Sequence, residues 1–389
     1  MNNNNGFYTK ILPVMLSFFC MGFVDMVGTA TNYAQKDLGL DETTANLFPS
    51  MVFFWFLIFS VPTGTFMSRI GRKKTVLVSL LVTALSMIIP FVWYNKTSLI
   101  ITFSLLGIGN TLMQVSLNPL LSSIVKGDKL ASSFTLGQFV KAIASFSAPI
   151  IATSASLMFD DWRMIYPLFL TVSAITVIWL GITRIDEQKK DGRGITFFEC
   201  FKLLGNGTIL LCFLGIMCLV GIDVGTNVTS PRILMERLDL TNLDDANYAT
   251  SVYFAFRTAG CFLGAFILAR YSAKKFFGLS VFCMALGMGG LYFLQSELIL
   301  CACIGLIGFG NSNVFSIILS HAMLYMPDKK NEISGLMIMG LFGGTVFPFL
   351  MGYATKTLHS QAGALLIMSI GVIYLLFLAI RIRDNVNSI

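Results

Sequence analysis

Residues 184–202 read RIDEQKKDGRGITFFECFK, the one long polar connection in a chain of 389 residues. On either side of it the sequence is apolar in long blocks. Six blocks precede it, at about 11–34, 44–68, 75–94, 98–125, 131–158 and 163–184. Six follow, at about 207–235, 246–269, 276–294, 298–325, 332–357 and 361–381. Each is close to or above the ~20 residues a helix needs to cross a bilayer core. The expected fold is all-α integral membrane, with twelve transmembrane helices in two six-helix bundles. Residues 1–184 and 207–389 form the bundles, and 185–206 form a cytoplasmic central loop.

Composition supports this. The chain is 55% hydrophobic and only 12% charged, with a mean hydropathy of +0.77. A soluble protein carries roughly a quarter charged residues. Its 35 Phe and 34 Gly suit helices packed in lipid. The net charge of +7 could suggest nucleic acid, but its distribution argues otherwise. With both termini inside, one face of the membrane holds 19 of the 27 Lys and Arg and the other face holds six. Positive charge that tracks topology orients the chain: a multi-pass protein of the cell (inner) membrane with both ends cytoplasmic. The lipid bilayer is then its surroundings, nucleic acid is no partner, and a monomer is expected. The eight Cys lie mostly in apolar runs without a CxxC. No P-loop, nucleophile–base pair or metal-ligand spacing stands out, so neither an enzyme nor a cofactor nor a metal is expected. MNNNNGFYTK at the amino end is not read as a cleavable signal.

The halves repeat one another. ANLFPSMVFF (45–54) matches ANYATSVYFA (246–255), and LGIGNT (106–111) matches IGFGNS (307–312). GTFMSRIGRKK (64–74) has a weaker partner in GAFILARYSAKK (264–275). GFVDMVG (22–28) and VGIDVG (220–225) are read as a further matched pair. A six-helix unit used twice is a transporter pattern, with the substrate site expected at mid-depth between the repeats.

GTFMSRIGRKK resembles the loop signature after helix 2 of the major facilitator superfamily. Gly64, Arg69, Gly71, Arg72 and Lys73 match, while Ser68 stands where that family has Asp. The resemblance implies a gating element there. Within the superfamily the chain is most similar to the fucose–galactose–glucose:proton symporters. IFSVPTGTFM, QVSLNPLL, FRTAGCFLG and SGLMIMGLFGGTVFPFLMG carry that likeness. Gln114 stands where those symporters have a helix 4 Glu, and Lys141 where they have a helix 5 Asn. Gln138 matches a helix 5 Gln, and Asp25 lies near their helix 1 carboxylate. Asp223 replaces an uncharged residue.

Asp25, Lys141, Asp223 and Arg257 lie inside the apolar blocks. Each is ten to sixteen residues from a helix end, roughly 15–24 Å along it. A lone charge at that depth costs at least ~2.5–3.5 kcal/mol. Two acids and two bases sum to zero, so Asp25–Lys141 and Asp223–Arg257 are candidate pairs, either structural or functional. Polar stripes accompany them: Asp25, Thr29 and Asn32; Asp223, Asn227 and Ser230; Gln138, Lys141 and Ser145. Asn110, Gln114 and Asn118 line helix 4, and Asn311 and Asn313 lie on helix 10. Buried amides need partners, and sugars supply hydroxyls; Trp55 could stack on a sugar ring.

The expected function is secondary transport of a small sugar or sugar derivative by alternating access. Proton symport through Asp25 and Asp223 is the expected coupling, with sodium left open. The alternatives are an anionic sugar acid clamped by Lys141 and Arg257, another organic anion, and drug or metabolite efflux.

Overall fold

The computed structural model describes residues 3–40, 47–125, 129–185, 187, 197–240, 246 and 248–382. Twelve helical stretches among them are long and apolar enough to cross a membrane. In chain order, α1 runs in two pieces, Asn3–Met21 and Met26–Leu38, joined by a 3-10 turn over Gly22–Asp25. Then come α2 (Leu47–Ile70), α3 (Arg72–Val92), α4 (Lys96–Ile124), α5 (Lys129–Phe159) and α6 (Ile165–Ile182). A short helix, Phe197–Lys202, precedes α7 (Gly207–Leu238), α8 (Tyr248–Arg270), α9 (Ala273–Phe293) and α10 (Glu297–Tyr325). The series closes with α11, in the pieces Lys330–Met339 and Gly343–Leu358 around a 3-10 turn over Gly340–Phe342, and α12 (Ala362–Arg381).

Local chemistry sets several ends. Asn95 accepts from the Ser98 amide while the Ser98 hydroxyl takes the Asn95 N–H, a capping box that starts α4. The Asn206 side chain accepts from the Thr208 and Ile209 amides and starts α7. Much of the central loop, including Lys189, Lys190 and Arg193, lies outside the described residues, as do Lys126 and Arg383.

Two spans read as continuous are broken, and each break falls where helices come close. A Cβ on Gly22 would lie 2.5 Å from the Lys141 carbonyl oxygen, so α1 runs against the backbone of α5. A Cβ on Gly343 would lie 2.2 Å from the Met217 carbonyl oxygen, so α11 does the same against α7.

The chain divides into two compact units. Unit 1 holds Met1–Lys126, Gly137–Lys202 and Asp328–Met339; unit 2 holds Gly127–Leu136, Leu203–Pro327 and Gly340–Ile389. The boundaries run through α5 and α11, so neither helix belongs wholly to one unit.

Inside each unit the same close contacts recur 201 residues apart. A Cβ on Gly107 would lie 2.6 Å from the Val52 carbonyl oxygen; on Gly308 it would lie 2.5 Å from that of Tyr253. Gly109 presses on Ser79 and Thr83 of α3, and Gly310 on Ser280 and Met284 of α9. These glycines let α4 meet α2 and α3, and α10 meet α8 and α9, at backbone distance.

Candidate functional site

In unit 1 the break in α1 sets the position of Asp25, the last residue of the 3-10 turn. Gly22, one turn earlier, packs on the carbonyl of Lys141 itself. The two helices are thereby so close that Asp25 meets the side chains of α5. The Ser145 hydroxyl donates to Asp25 Oδ2 and also lies 3.1 Å from the Lys141 carbonyl. Lys141 Nζ is 3.9 Å from the same Oδ2, outside hydrogen-bond range. Asp25 is 41% exposed and Lys141 19%. Gln138, one turn before Lys141, is half-buried. The side chains of Thr29 and Asn32, the rest of the stripe, lie outside the described residues.

Beside this pair, α4 carries a ladder of buried amides. Gln114 Nε2 donates to Asn110 Oδ1 at 2.7 Å, and Asn118 Nδ2 donates to the Gln114 carbonyl at 3.0 Å. Asn110 Nδ2 in turn donates to the Met21 carbonyl at 2.7 Å, the last residue before the break in α1. Asn118 Oδ1 and Trp55 Nε1 are buried with no hydrogen-bond partner among the described residues. Trp55 lies among Phe54 and Phe59.

In unit 2 the pair is tighter. Arg257 lies 2.9 Å from Asp223 Oδ2, with 35% and 18% of the side chains exposed. The Tyr253 hydroxyl donates to Asp223 Oδ1 and accepts from Asn311 Nδ2 at 2.8 Å. Tyr253 escaped the sequence reading because a phenol in an aromatic-rich helix carries no signal of its own. Asn227 is half-buried, and its carbonyl accepts from Thr250; Ser230 is buried and bonds back to Thr226 of its own helix. Asn313 sits apart from this cluster. It donates to the Gly260 carbonyl at 3.0 Å and fills the space left by Gly264, fastening α10 to α8.

The two acids are not strict counterparts. The packing repeat is 201 residues, whereas Asp25 and Asp223 are 198 apart. Gly22, not Asp25, holds the register of Asp223, so the matched offset read from the sequence is corrected by nearly one helical turn.

The gating signature is also assembled. Gly71 has φ 97°, a conformation open to glycine, and a Cβ there would lie 2.9 Å from Glu187 Oε2. Glu187 accepts from the amides of Arg72 and Lys73 at 2.7 and 2.6 Å, placing a carboxylate on the amino end of α3. Lys73 Nζ donates to the carbonyls of Gly181 and Thr183, both at 2.8 Å, at the carboxyl end of α6. Arg72 Nε donates to Asn331 at 2.9 Å. The Ser68 hydroxyl lies 3.4 Å from Glu332 Oε1. Glu332, buried to 7% exposure, brings a carboxylate to the place where the signature has its Asp. Neither Glu187 nor Glu332 was legible, because their partners are over 100 residues away in the chain. No bond of Arg69 is described; it lies in the last turn of α2.

The model of the Major Facilitator Superfamily matches residues 14–338. The chain belongs to that superfamily. It is 22% identical over 365 residues to a glucose/galactose transporter of Brucella abortus, covering 90% of this chain and 88% of the relative. A putative glucose/galactose transporter of Helicobacter pylori is 22% identical over 388 residues, with 94% of each chain covered. Among solved structures, the fucose:proton symporter FucP of E. coli superimposes with a TM-score of 0.82 at 14% identity, covering 95% of this chain and 98% of its own. The proton:xylose symporter XylE gives 0.77 at 14% identity, over 98% and 97%. The expected fold class and the superfamily resemblance are thus borne out.

Proposed function

We propose that this protein is a secondary transporter of a small sugar or sugar derivative, working by alternating access and coupled to protons through Asp25. Relatives named for glucose and galactose, and structural neighbours that are sugar:proton symporters, support the substrate class and the coupling ion. The chain sits in the cell's inner membrane with both termini cytoplasmic, as the distribution of Lys and Arg favours. The Gly64–Lys73 signature, with Arg72, Asn331 and Glu332, then acts as the gate on that side.

One observation carries the coupling assignment: Asp25 is the more exposed of the two intramembrane acids and the farther from its cation. Its cation stands at 3.9 Å, where Asp223 has a guanidinium at 2.9 Å. A carboxylate that must release and regain a proton in each cycle needs an open path and a weak partner. Lys141 is the switch: substrate hydroxyls that engage it leave Asp25 free to take the proton. Asp25→Asn should abolish gradient-driven accumulation in proteoliposomes and retain sugar exchange. Accumulation at the parent's level in that variant would refute the assignment.

A further inference from the structure

The two acid–base pairs differ in how completely the acid is held. Each carboxylate oxygen of Asp223 has its own partner, Arg257 on Oδ2 and the Tyr253 hydroxyl on Oδ1. Tyr253 is fully buried, and its oxygen accepts from Asn311 Nδ2. With an amide N–H on the acceptor side of the phenol, the phenolic proton is left to point at Asp223. The chain Asn311–Tyr253–Asp223–Arg257 therefore has a fixed direction, and it fixes the face that Asp223 turns to the guanidinium.

The result is a donor and an acceptor side by side with no net charge, the guanidinium still one-third exposed. Behind Asp223, on the opposite face of α7, Gly221 packs on Phe347 of α11, and Gly225 on Met351 of α11 and Met368 of α12. A carboxylate ligand reaching Arg257 would meet the carboxylate of Asp223 at close range. A pair of adjacent hydroxyls would not, since one can donate to Asp223 while the other accepts from Arg257.

We propose that Asp223 and Arg257 form a charge filter that accepts adjacent uncharged hydroxyls and turns away anions, with Tyr253 as its positioning residue. The identity of the polyol rests on the sugar reading above; the charge argument does not. The test uses the purified full-length chain, with thermal stabilisation by D-galactose, D-galacturonate and acetate read in parallel. Galactose should stabilise the parent, and the two anions should not. Asp223→Asn removes the carboxylate that stands 2.9 Å from Arg257. It should gain stabilisation by acetate and bind galacturonate at least about tenfold more tightly than the parent. Tyr253→Phe keeps the ring and the ion pair. Its half-saturation for galactose exchange should rise about tenfold while the rate at saturation stays within about twofold. Acetate that stabilises the parent as well as it does Asp223→Asn would overturn the filter. So would a Tyr253→Phe variant with the parent's half-saturation, which also decides the matter if Asp223→Asn does not fold. A parent that ignores hexoses would refute the sugar reading alone, because the acetate arm still judges the filter.

Discussion

Gly22→Ala should separate Asp25 from its partners without touching a polar atom. The new methyl carbon would sit 2.5 Å from the Lys141 carbonyl oxygen and 2.7 Å from Ala144 Cβ. Neither can rotate away, since one is backbone and the other is the whole of its side chain. Carbon contacts settle near ~3.5–4.0 Å, so α1 must retreat about 1 Å from α5. Overpacking of this kind costs about 1–3 kcal/mol. The Lys141–Asp25 separation starts at 3.9 Å. Adding about 1 Å removes at most about 1 kcal/mol at an effective dielectric constant near 20, and screening at the exposed Asp25 reduces it further. Steric cost therefore dominates stability, while function responds to the lost register between Asp25, Ser145 and Lys141. Thermal unfolding in detergent and accumulation in proteoliposomes should both fall. Gly278→Ala is the control, because a Cβ there meets nothing within 4 Å; it should be neutral or stabilising by up to ~1 kcal/mol. A Gly22→Ala protein with the parent's melting temperature and uptake would refute the close-approach argument.

The internal repeat predicts that Gly107→Ala and Gly308→Ala lower thermal stability by similar amounts, within about 1 kcal/mol of each other. Both place a methyl against a backbone carbonyl at nearly the same distance; of the two, Gly308→Ala should also weaken sugar binding, since it displaces Tyr253. Ser68→Asp, which restores the residue of the family signature, should destabilise this chain by setting a second carboxylate against Glu332. Glu332→Gln should relieve that loss, and a double-mutant cycle on melting temperature should report coupling of about 1 kcal/mol. Asp161 gives a pH test: hydrogen bonds from Arg163 hold its carboxyl below the usual carboxylate range. A depressed folded-state value means that the contribution is present above the ordinary Asp value of about 4 and is lost as pH falls through the folded one. The stability gap between the parent and Asp161→Asn, about 1 kcal/mol for a partly exposed pair, should therefore be seen at neutral pH and close in acid.

Much of this fold was legible because membrane helices announce themselves by composition, and because Lys and Arg cluster at their ends. The repeat was legible too, since glycines that touch carbonyls tolerate little else and so recur in both halves. The candidate site was legible only as a set of residues. Asp25, Lys141, Asp223 and Arg257 stand out because a charge in an apolar run is costly, and that cost also predicts pairing. What the run of letters did not carry was distance. Nothing in GFVDMVG marks Gly22–Asp25 as a 3-10 turn, although the turn decides which atoms Asp25 meets. Tyr253, Glu187 and Glu332 are ordinary residue types that gain meaning from partners on other helices or in the central loop.

The register shift between the acids bears directly on how the halves could divide their work. Had Asp25 and Asp223 been equivalent, the duplicated unit would have offered two interchangeable proton sites. Instead, Gly22 takes the register of Asp223, and the close approach it permits brings α1 to the backbone of α5. In the second half, the glycine of the matching helix contact comes from α11, at Gly343, and α7 runs unbroken through Asp223. A broken helix presents its acid at a joint, exposed and with its cation beyond hydrogen-bond range. An unbroken one presents it from a rigid rod, with a phenol and a guanidinium to fix both oxygens. The first arrangement suits a group that must change its partner in every cycle, and the second suits one that must not. That contrast is what supports proposing Asp25 as the proton site and Asp223 as the residue that selects against charge.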